Sequence, residues 1–240
     1  MSHNIENLRA ELRQLVDSLI YNTQFDLYLS GAQSFYDWKY QALKSWPEEI
    51  NCSNGATRFV FWDNRQSGIV FKMAIDRDDD IDYNANEVFI YQKAEENDVA
   101  HWFAWTEKID SIDIDGVVTD FYAMDYCDAE ETLISDSVYN LYVREFCDDE
   151  GWDVDNLNDT QREYLQSWID SEAIGDSEGM EHYMYQTYDW SDVTELYTFL
   201  NKYHINDTHS GNWGYKDDYL VLIDYAGYNR NLIQMAPQCV

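Results

Sequence analysis

One stretch near the C-terminal end restricts the fold more than any other part of the chain. Asp207 is followed five positions later by Asn212, and Asp224 closes the apolar run at 220–223. These residue types suit a phosphoryl-transfer site, in which one carboxylate orients the attacking hydroxyl while an amide oxygen and a second carboxylate hold magnesium against nucleotide phosphates. The polar turn at 216–218 between two apolar runs also predicts a closing hairpin over 213–224.

The rest of the chain predicts helices combined with a small antiparallel sheet. Apolar residues recur at three- and four-residue spacing over 5–22, which is typical of an amphipathic helix. Strand-forming residues on both sides of a turn at 63–68 predict a hairpin of strands 57–62 and 69–74. The remaining segments predict helices at about 32–45, 84–95, 137–146, 159–171 (with Asp159-Thr160 as N-cap) and from 191 onward, and strands at 101–107 and 116–124 around a loop at 110–115. This order indicates an α+β fold.

Cysteine usage and hydropathy indicate the compartment. The four cysteines show no spacing typical of metal ligands or of a redox pair. The N-terminal segment lacks the basic and apolar regions of a secretory signal, and no apolar run approaches the ~18 residues of a membrane span. These features predict a cytoplasmic protein with free thiols and no membrane contact.

Four segments together resemble a known fold. The run 207–212 (Asp-Thr-His-Ser-Gly-Asn) is similar to the D-x-H-x-x-N catalytic loop of the protein-kinase-like fold, and 223–227 (Ile-Asp-Tyr-Ala-Gly) stands where its metal-binding D-F-G element belongs. The run 70–74 looks like the third-strand lysine motif, and Glu87 stands in the following helix. The chain resembles compact bacteriophage-encoded kinase-like proteins most, and aminoglycoside and choline phosphotransferases more distantly, over roughly 52–227.

The resemblance implies a role for each matching residue. Lys72 would contact the α/β-phosphates of ATP and would be held there by Glu87, and Asp207 would be the catalytic carboxylate. Asn212 and Asp224 would bind Mg²⁺.

The resemblance also implies where the nucleotide is held. Gly55 would lie in the loop over the phosphates, where glycine lets backbone amides approach closely. Asp125 and Tyr126 would lie in the hinge that grips adenine. ATP and Mg²⁺ are therefore the cofactors that the resemblance implies.

The domain organisation expected from this resemblance has three parts. An N-terminal helical segment (1–50) precedes a kinase-like N-lobe with a small antiparallel sheet (51–125) and an acidic helical C-lobe (126–240). This C-lobe lacks the usual end, because the chain reaches Val240 only 13 residues after Gly227. Protein kinases carry their activation segment and peptide-docking helices there, so a protein substrate would need a docking surface elsewhere.

Each of these residues also has a purely structural interpretation. Asp207 can stabilise a turn, because short polar side chains bond their own backbone. Asp224 can cap the end of a strand, and Lys72 can extend its stem along an apolar strand with its ammonium in water. The fold can also be kept without catalysis, as in a pseudokinase, since function lies in sites placed on folds.

Acidity is concentrated in one region of a strongly negative chain. The chain has 47 acidic and 15 basic residues and a net charge of −32, although 45% of its residues are hydrophobic and 16% are aromatic. Between 110 and 195 there are 25 acidic residues and two basic ones, Arg144 and Arg162. A solvated face is the ordinary explanation, but soluble domains normally mix both signs of charge. The carboxylates that mark a candidate partner surface are Asp148, Asp149, Glu150, Asp153, Asp155, Asp170, Glu172, Asp176 and Glu178.

Such a surface favours a basic protein partner and excludes direct binding to nucleic acid. Double-stranded DNA carries about one negative charge per 1.7 Å of its axis, so rows of carboxylates can occupy a DNA-binding groove. Phage-encoded DNA mimics that inhibit restriction, CRISPR, transcription or repair enzymes resemble this composition. A halophilic origin is a third explanation, which the high aromatic content disfavours.

The sequence therefore supports two functional hypotheses. The first is a phage-type phosphotransferase that uses Mg-ATP and acts on a host protein in the host cytoplasm. The alternative is a non-catalytic acidic DNA mimic on a kinase-like scaffold, which inhibits a host DNA-binding or defence enzyme.

Overall fold

A computed structural model describes residues 3–55, 57–65, 68–75, 82–128, 131–169, 176–217 and 219–225. Within these ranges the chain has mixed α+β structure with eight α-helices and seven strands. The helices are α1 (Ile5–Thr23), α2 (Phe25–Leu29), α3 (Phe35–Ala42), α4 (Tyr83–Glu96), α5 (Glu131–Asp149), α6 (Asp159–Ile169), α7 (Ser177–Thr187) and α8 (Trp190–Lys202). The strands are β1 (Ile50–Asn54), β2 (Arg58–Asp63), β3 (Ile69–Ala74), β4 (Thr106–Ile114), β5 (Val117–Asp125), β6 (Trp213–Lys216) and β7 (Tyr219–Leu222).

Contacts divide the chain into two compact units. Residues 1–93 and 104–126 belong to the first unit, and 94–103 and 127–229 belong to the second. The N-terminal helices thus belong to the same unit as the sheet. In the described ranges no helix combines the length and the apolar character needed to cross a bilayer. Within the described residues Cys52, Cys127 and Cys147 form no disulfide, and Cys239 lies outside the described residues.

The first unit is built around a five-stranded antiparallel sheet in the order β1-β2-β3-β5-β4. The chain leaves the sheet after β3, forms α4 and returns through β4. In this register Lys72 of β3 lies between Val60 of β2 and Tyr122 of β5. The central strand β3 is buried on both sides for most of its length, which places Lys72 in an interior position.

The N-terminal helices α1–α3 cover one face of this sheet. Their apolar side chains form one core with alternate residues of the strands, because successive side chains of a strand point to opposite faces. Lys72, one position from both Phe71 and Met73, therefore belongs to the opposite face. The largest fully buried members of this core are Trp38, Phe25, Phe59, Phe61, Phe71, Phe121, Leu12, Leu19, Leu29 and Ile50.

Three sequence-based assignments around the sheet were wrong. The strand expected at 101–107 overlaps a short 3-10 helix at Ala100–Trp102, and β4 begins only at Thr106. Residues 110–115, expected to be a loop, lie mostly in β4, because Asp and Ile alternate there with the period of a strand. The turn is only Asp115-Gly116, with φ of 55° and 84°, values that match a two-residue type I′ hairpin. Strand β1 was missed, since its polar residues Asn51, Ser53 and Asn54 are typical of a loop.

The second unit contains α5–α8 and the hairpin of β6 and β7 that was predicted over 213–224. Helix α5 ends at Asp149 and is closed by Gly151, whose φ of 67° suits glycine, and the Trp152 amide donates to the Cys147 carbonyl as in a Schellman motif. Helix α6 begins with a reciprocal capping box: the Gln161 amide donates to the Asn158 side chain, and the Asn158 amide donates to the Gln161 side chain, both at 3.0 Å. The N-cap is therefore Asn158, and not the predicted Asp159-Thr160 pair.

Candidate functional site

Lys72 and Glu87 form a buried ion pair in the first unit. The Lys72 Nζ lies 3.1 Å from the Glu87 Oε2, and the two side chains are 8% and 0% exposed. Strand β3 supplies the lysine, and the next helix, α4, supplies the glutamate. Lys72 therefore does not extend along an edge strand into water. Burial of both charges makes their contact a requirement of the fold, because an unpaired buried charge is costly.

Arg58 of β2 is a third member of this cluster, which sequence reasoning missed. Its guanidinium donates to the second carboxylate oxygen of Glu87, and its side chain is 11% exposed. The period of two places Arg58 on the same face as Val60, the strand partner of Lys72. This alternation is the signal in the sequence that could have identified it. Glu87 therefore has a second cationic partner beside Lys72.

The start of α4 is tied to the same face of the sheet. Asp82 accepts the amides of Asn84 and Ala85 at 3.0 and 3.1 Å, as an N-cap does. The Tyr122 hydroxyl donates to the other oxygen of Asp82. Since Tyr122 is a strand partner of Lys72, the same pair of strands fixes the lysine and the helix that supplies its glutamate.

Gly55 lies in the turn between β1 and β2, and its amide donates to the Arg58 carbonyl at 3.1 Å. A Cβ at this position would meet no atom within 4 Å, and its φ lies outside the left-handed region. Neither packing nor backbone conformation therefore requires glycine here. A close approach of a ligand to the backbone would require it, as the resemblance implies for the phosphate loop.

The backbone amides of the predicted hinge residues, Asp125 and Tyr126, are hydrogen-bonded within the first unit. The Asp125 amide donates to the Trp105 carbonyl at 2.9 Å, and the Tyr126 amide donates to the Gly68 carbonyl at 3.0 Å. The buried Asp125 carboxylate accepts the Trp105 amide and lies 3.1 Å from the His3 Nε2. These amides already have partners, so they are not free donors for a nucleobase as the hinge interpretation requires.

Asp207 lies in the loop that follows α8 in the second unit. Helix α8 ends at Lys202, and the chain turns away at His204, which has a φ of 55°. The Ile205 amide donates to the Leu200 carbonyl at 2.8 Å. This is another Schellman motif, so His204 has a role in ending the helix. The Asp207 side chain is half exposed, and this exposure suits a group that meets a substrate.

Hydrogen bonds with Ser177 and Trp213 hold the loop that carries Asp207. The Thr208 amide donates to the Ser177 hydroxyl at 3.0 Å, and the Trp213 indole donates to the Thr208 carbonyl at 2.9 Å. His209 accepts the Gly211 amide through Nδ1 at 3.1 Å, and its Nε2 lies 3.5 Å from the Asp207 carboxylate. These two contacts of His209 help to orient the loop.

Asn212 connects this loop to Asp224. The side-chain nitrogen of Asn212 donates to the backbone carbonyl of Asp207 at 2.8 Å. The backbone carbonyl of Asn212 accepts the amides of Ile223 and Asp224 at 2.9 and 3.4 Å. Asp224 lies two residues beyond the end of β7, after the apolar run at 220–223. With its nitrogen bonded, the Asn212 amide presents its oxygen as the group that can bind a cation.

The donor types at Asn212 and Asp224 fit Mg²⁺. Magnesium prefers oxygen ligands and is held by one or two protein groups together with phosphates and waters. In the described parts of the chain no three His, Cys, Asp or Glu side chains converge as a metal-binding cluster. An amide oxygen and one carboxylate therefore suit a metal that arrives with a nucleotide better than a permanent structural metal.

The described members of the predicted acidic surface are all exposed, namely Asp148, Asp149, Glu150, Asp153, Asp155, Asp176 and Glu178. Asp170 and Glu172 lie outside the described residues. Some of these carboxylates have structural roles: Asp176 caps α7 through the Gly179 amide at 2.8 Å, and Asp153 accepts the Asp155 amide at 3.1 Å. Others have no such role.

Asp148 and Asp149 occupy the last turn of α5, which contains no basic residue. Glu150 follows directly. Carboxylates are unfavourable at the C-terminal end of a helix, because the unpaired carbonyls there carry partial negative charge. The end of α5 packs through aromatic side chains, since Phe146 stacks on Trp168 with ring centroids 4.5 Å apart. Helix stability therefore does not account for this group of carboxylates.

Comparison with known proteins gives this chain no relative: no family model, no curated protein and no solved structure matches it.

Proposed function

We propose that this chain is a magnesium-dependent phosphotransferase that uses ATP and acts on a basic protein. The observation that carries the proposal is the buried Lys72–Glu87 pair, with the lysine on the third strand and the glutamate on the helix that follows. In protein kinases a lysine–glutamate pair on these two elements must be in place for phosphoryl transfer. Arg58 supports the proposal because it keeps Glu87 anchored while Lys72 contacts phosphate.

The second group of residues supplies the remaining chemistry. Asp207 is exposed enough to accept a proton from an attacking hydroxyl, and the Asn212 side chain fixes its backbone. Asn212 and Asp224 would hold Mg²⁺, which when bound neutralises charge on the transferred phosphate. The first requirement of the proposal is that the chain binds ATP, and a binding titration tests that requirement.

We predict that the chain binds ATP in the presence of Mg²⁺ and that replacing Lys72 by Met weakens this binding about 10–100-fold. The expected size is that of a lost charged hydrogen bond to phosphate. Isothermal titration calorimetry with and without Mg²⁺ measures it. Lys108→Met on β4 removes an exposed lysine and should leave the affinity unchanged. If the unmodified protein shows no magnesium-dependent binding of ATP, the phosphotransferase proposal is excluded.

A second candidate function is favoured by the carboxylates at the end of α5. There the exposed Asp148 and Asp149 are placed against the helix dipole, so a function outside the fold is needed to explain them. We propose, as the alternative, that this surface docks on a basic groove that normally binds DNA, in a protein without catalytic activity. Its interaction with a partner should then weaken steeply as salt increases.

Charge reversal at opposite helix ends separates a structural role from a docking role. Asp149→Lys should raise the free energy of unfolding by about 0.3–1 kcal/mol at low ionic strength, because a cation suits a helix C-terminus. Glu178→Lys should lower it by a similar amount, since Glu178 lies in the favourable first turn of α7. Urea denaturation of both variants measures the two changes. A loss of stability in Asp149→Lys would give this carboxylate a structural role and remove the argument for docking.

A further inference from the structure

A groove in the first unit lies between α1 and strand β4. Its volume is about 330 Å³. Pockets that hold ligands begin at about this size. It is lined by Arg13, Val16, Asp17 and Ile20 of α1 and by residues 111–114 of β4. None of the residues assigned to phosphotransfer lies in this groove.

One wall of the groove is the edge of the sheet. Strand β4 is the last in the strand order, and its two-residue turn makes Ile114 and Val117 a hydrogen-bonded pair. Because hydrogen-bonded and non-bonded pairs alternate in an antiparallel ladder, the backbone groups of Ser111 and Asp113 face away from β5. An edge with outward backbone groups is a template for an added strand.

The α1 helix covers only the beginning of this edge. Arg9 donates to the Ile109 carbonyl at 3.2 Å, and Arg13 donates to the Asp110 carboxylate at 2.8 Å. The Ser111 amide is bonded to the same Asp110 side chain at 2.9 Å. A partner strand can then form hydrogen bonds with three outward backbone groups, namely the Ser111 carbonyl, the Asp113 carbonyl and the Asp113 amide.

The chemistry of the groove selects the partner. Val16, Ile20, Ile112 and Ile114 form an apolar lining beside the main core. Exposed carboxylates flank this lining on both sides, Asp17 on the helix and Asp113 on the strand. The lining arginine, Arg13, is already bonded to Asp110. A complementary segment therefore places apolar side chains in the groove and basic side chains at the positions between them.

We infer that this groove binds an extended segment of a basic partner protein, which adds to the edge of β4 as a further strand. Main-chain hydrogen bonds supply affinity in such complexes, and alternate side chains supply specificity. This docking site goes beyond the proposed phosphotransfer and does not depend on nucleotide binding. It supplies a recognition surface for a protein, and none of the carboxylates of the candidate partner surface lies in its lining.

A pair of matched peptides tests the inference. The probe is a fluorescently labelled seven-residue peptide in which isoleucine and lysine alternate, and its affinity for the full chain is measured by fluorescence anisotropy in physiological salt. The control peptide has the same sequence and charge, but N-methyl groups on alternate amides prevent strand pairing. We expect the probe to bind at least about tenfold more tightly than the control, since two or three backbone hydrogen bonds distinguish them.

Protein variants locate the site. Ile20→Lys places a cation in the lining and should weaken probe binding about tenfold or more. Leu43→Lys makes the same charge change directly after α3, at a position that is 65% exposed, and should leave probe binding unchanged. Asp17→Lys changes an exposed residue of the helix wall, so it keeps the test valid if Ile20→Lys fails to fold. The inference is overturned if the probe does not bind. It is also overturned if the two peptides bind equally well, or if Asp17→Lys and Leu43→Lys bind the probe equally well, because bulk charge attraction would then explain the binding.

Discussion

Replacing Glu87 by Gln is expected to lower the free energy of unfolding by about 3–5 kcal/mol, the usual cost of breaking a buried ion pair by removing one partner. The glutamate is fully buried and is shared by the ammonium of Lys72 and the guanidinium of Arg58. A neutral amide of the same shape keeps the packing but removes the charge that both cations contact. The loss should therefore come from electrostatics, not from a cavity.

Urea denaturation measures this loss, and another glutamate of the same helix supplies the control. Glu95 is exposed near the end of α4, so Glu95→Gln should change the free energy of unfolding by less than about 0.5 kcal/mol. Equal stability of the two variants would show that the cluster around Glu87 does not hold the fold together.

Replacing Asp224 by Asn is expected to reduce magnesium-dependent turnover of ATP about 10²–10³-fold, as removal of one group that stabilises transition-state charge commonly does. The backbone amide of Asp224 keeps its contact with the Asn212 carbonyl, so the loop should keep its shape. Since only the charge and one oxygen change, stability should remain close to that of the unmodified protein. Release of labelled phosphate from ATP measures the turnover.

Asp217→Asn is the matched control for this prediction. Asp217 lies in the turn of the same hairpin with a φ of 49°, a conformation that asparagine also adopts readily. It should keep full turnover. If Asp224→Asn also kept full magnesium-dependent binding and turnover, the 207–224 segment would be a scaffold without chemistry, and the acidic docking function would be the better account.

The sequence predicted local structure well wherever one residue period dominated. The amphipathic pattern placed α1 within one residue at its C-terminal end, and strand patterns placed β2 and β3 with their turn. The same reasoning missed β1 and overlapped β4 only at 106–107, because Asn, Ser and Asp are typical of loops and only pairing with a neighbour makes such segments strands. Tertiary contacts overrode local preference there.

The candidate site shows the same division. The resemblance to kinase-like proteins selected Lys72, Glu87, Asp207, Asn212 and Asp224 as candidates, and the structure pairs the first two of them. Spacing could not reveal Arg58 as a partner of Glu87, since the two residues are 29 positions apart and meet only through the sheet register. It also could not show that the amides of Asp125 and Tyr126 are used within the sheet.

By itself, the sequence determined the concentration of acidic charge and the position of elements with a clear residue period, such as α1, β2 and β3, because periodicity and composition are properties of neighbouring residues. The tertiary structure decided the rest. It determined that Lys72 is buried, that two cations share Glu87, that Asn212 joins Asp207 to Asp224 and that β4 forms an open edge beside α1. The physical reason is that burial, register and ion pairing depend on residues distant in the chain, whose contacts arise only when the core closes.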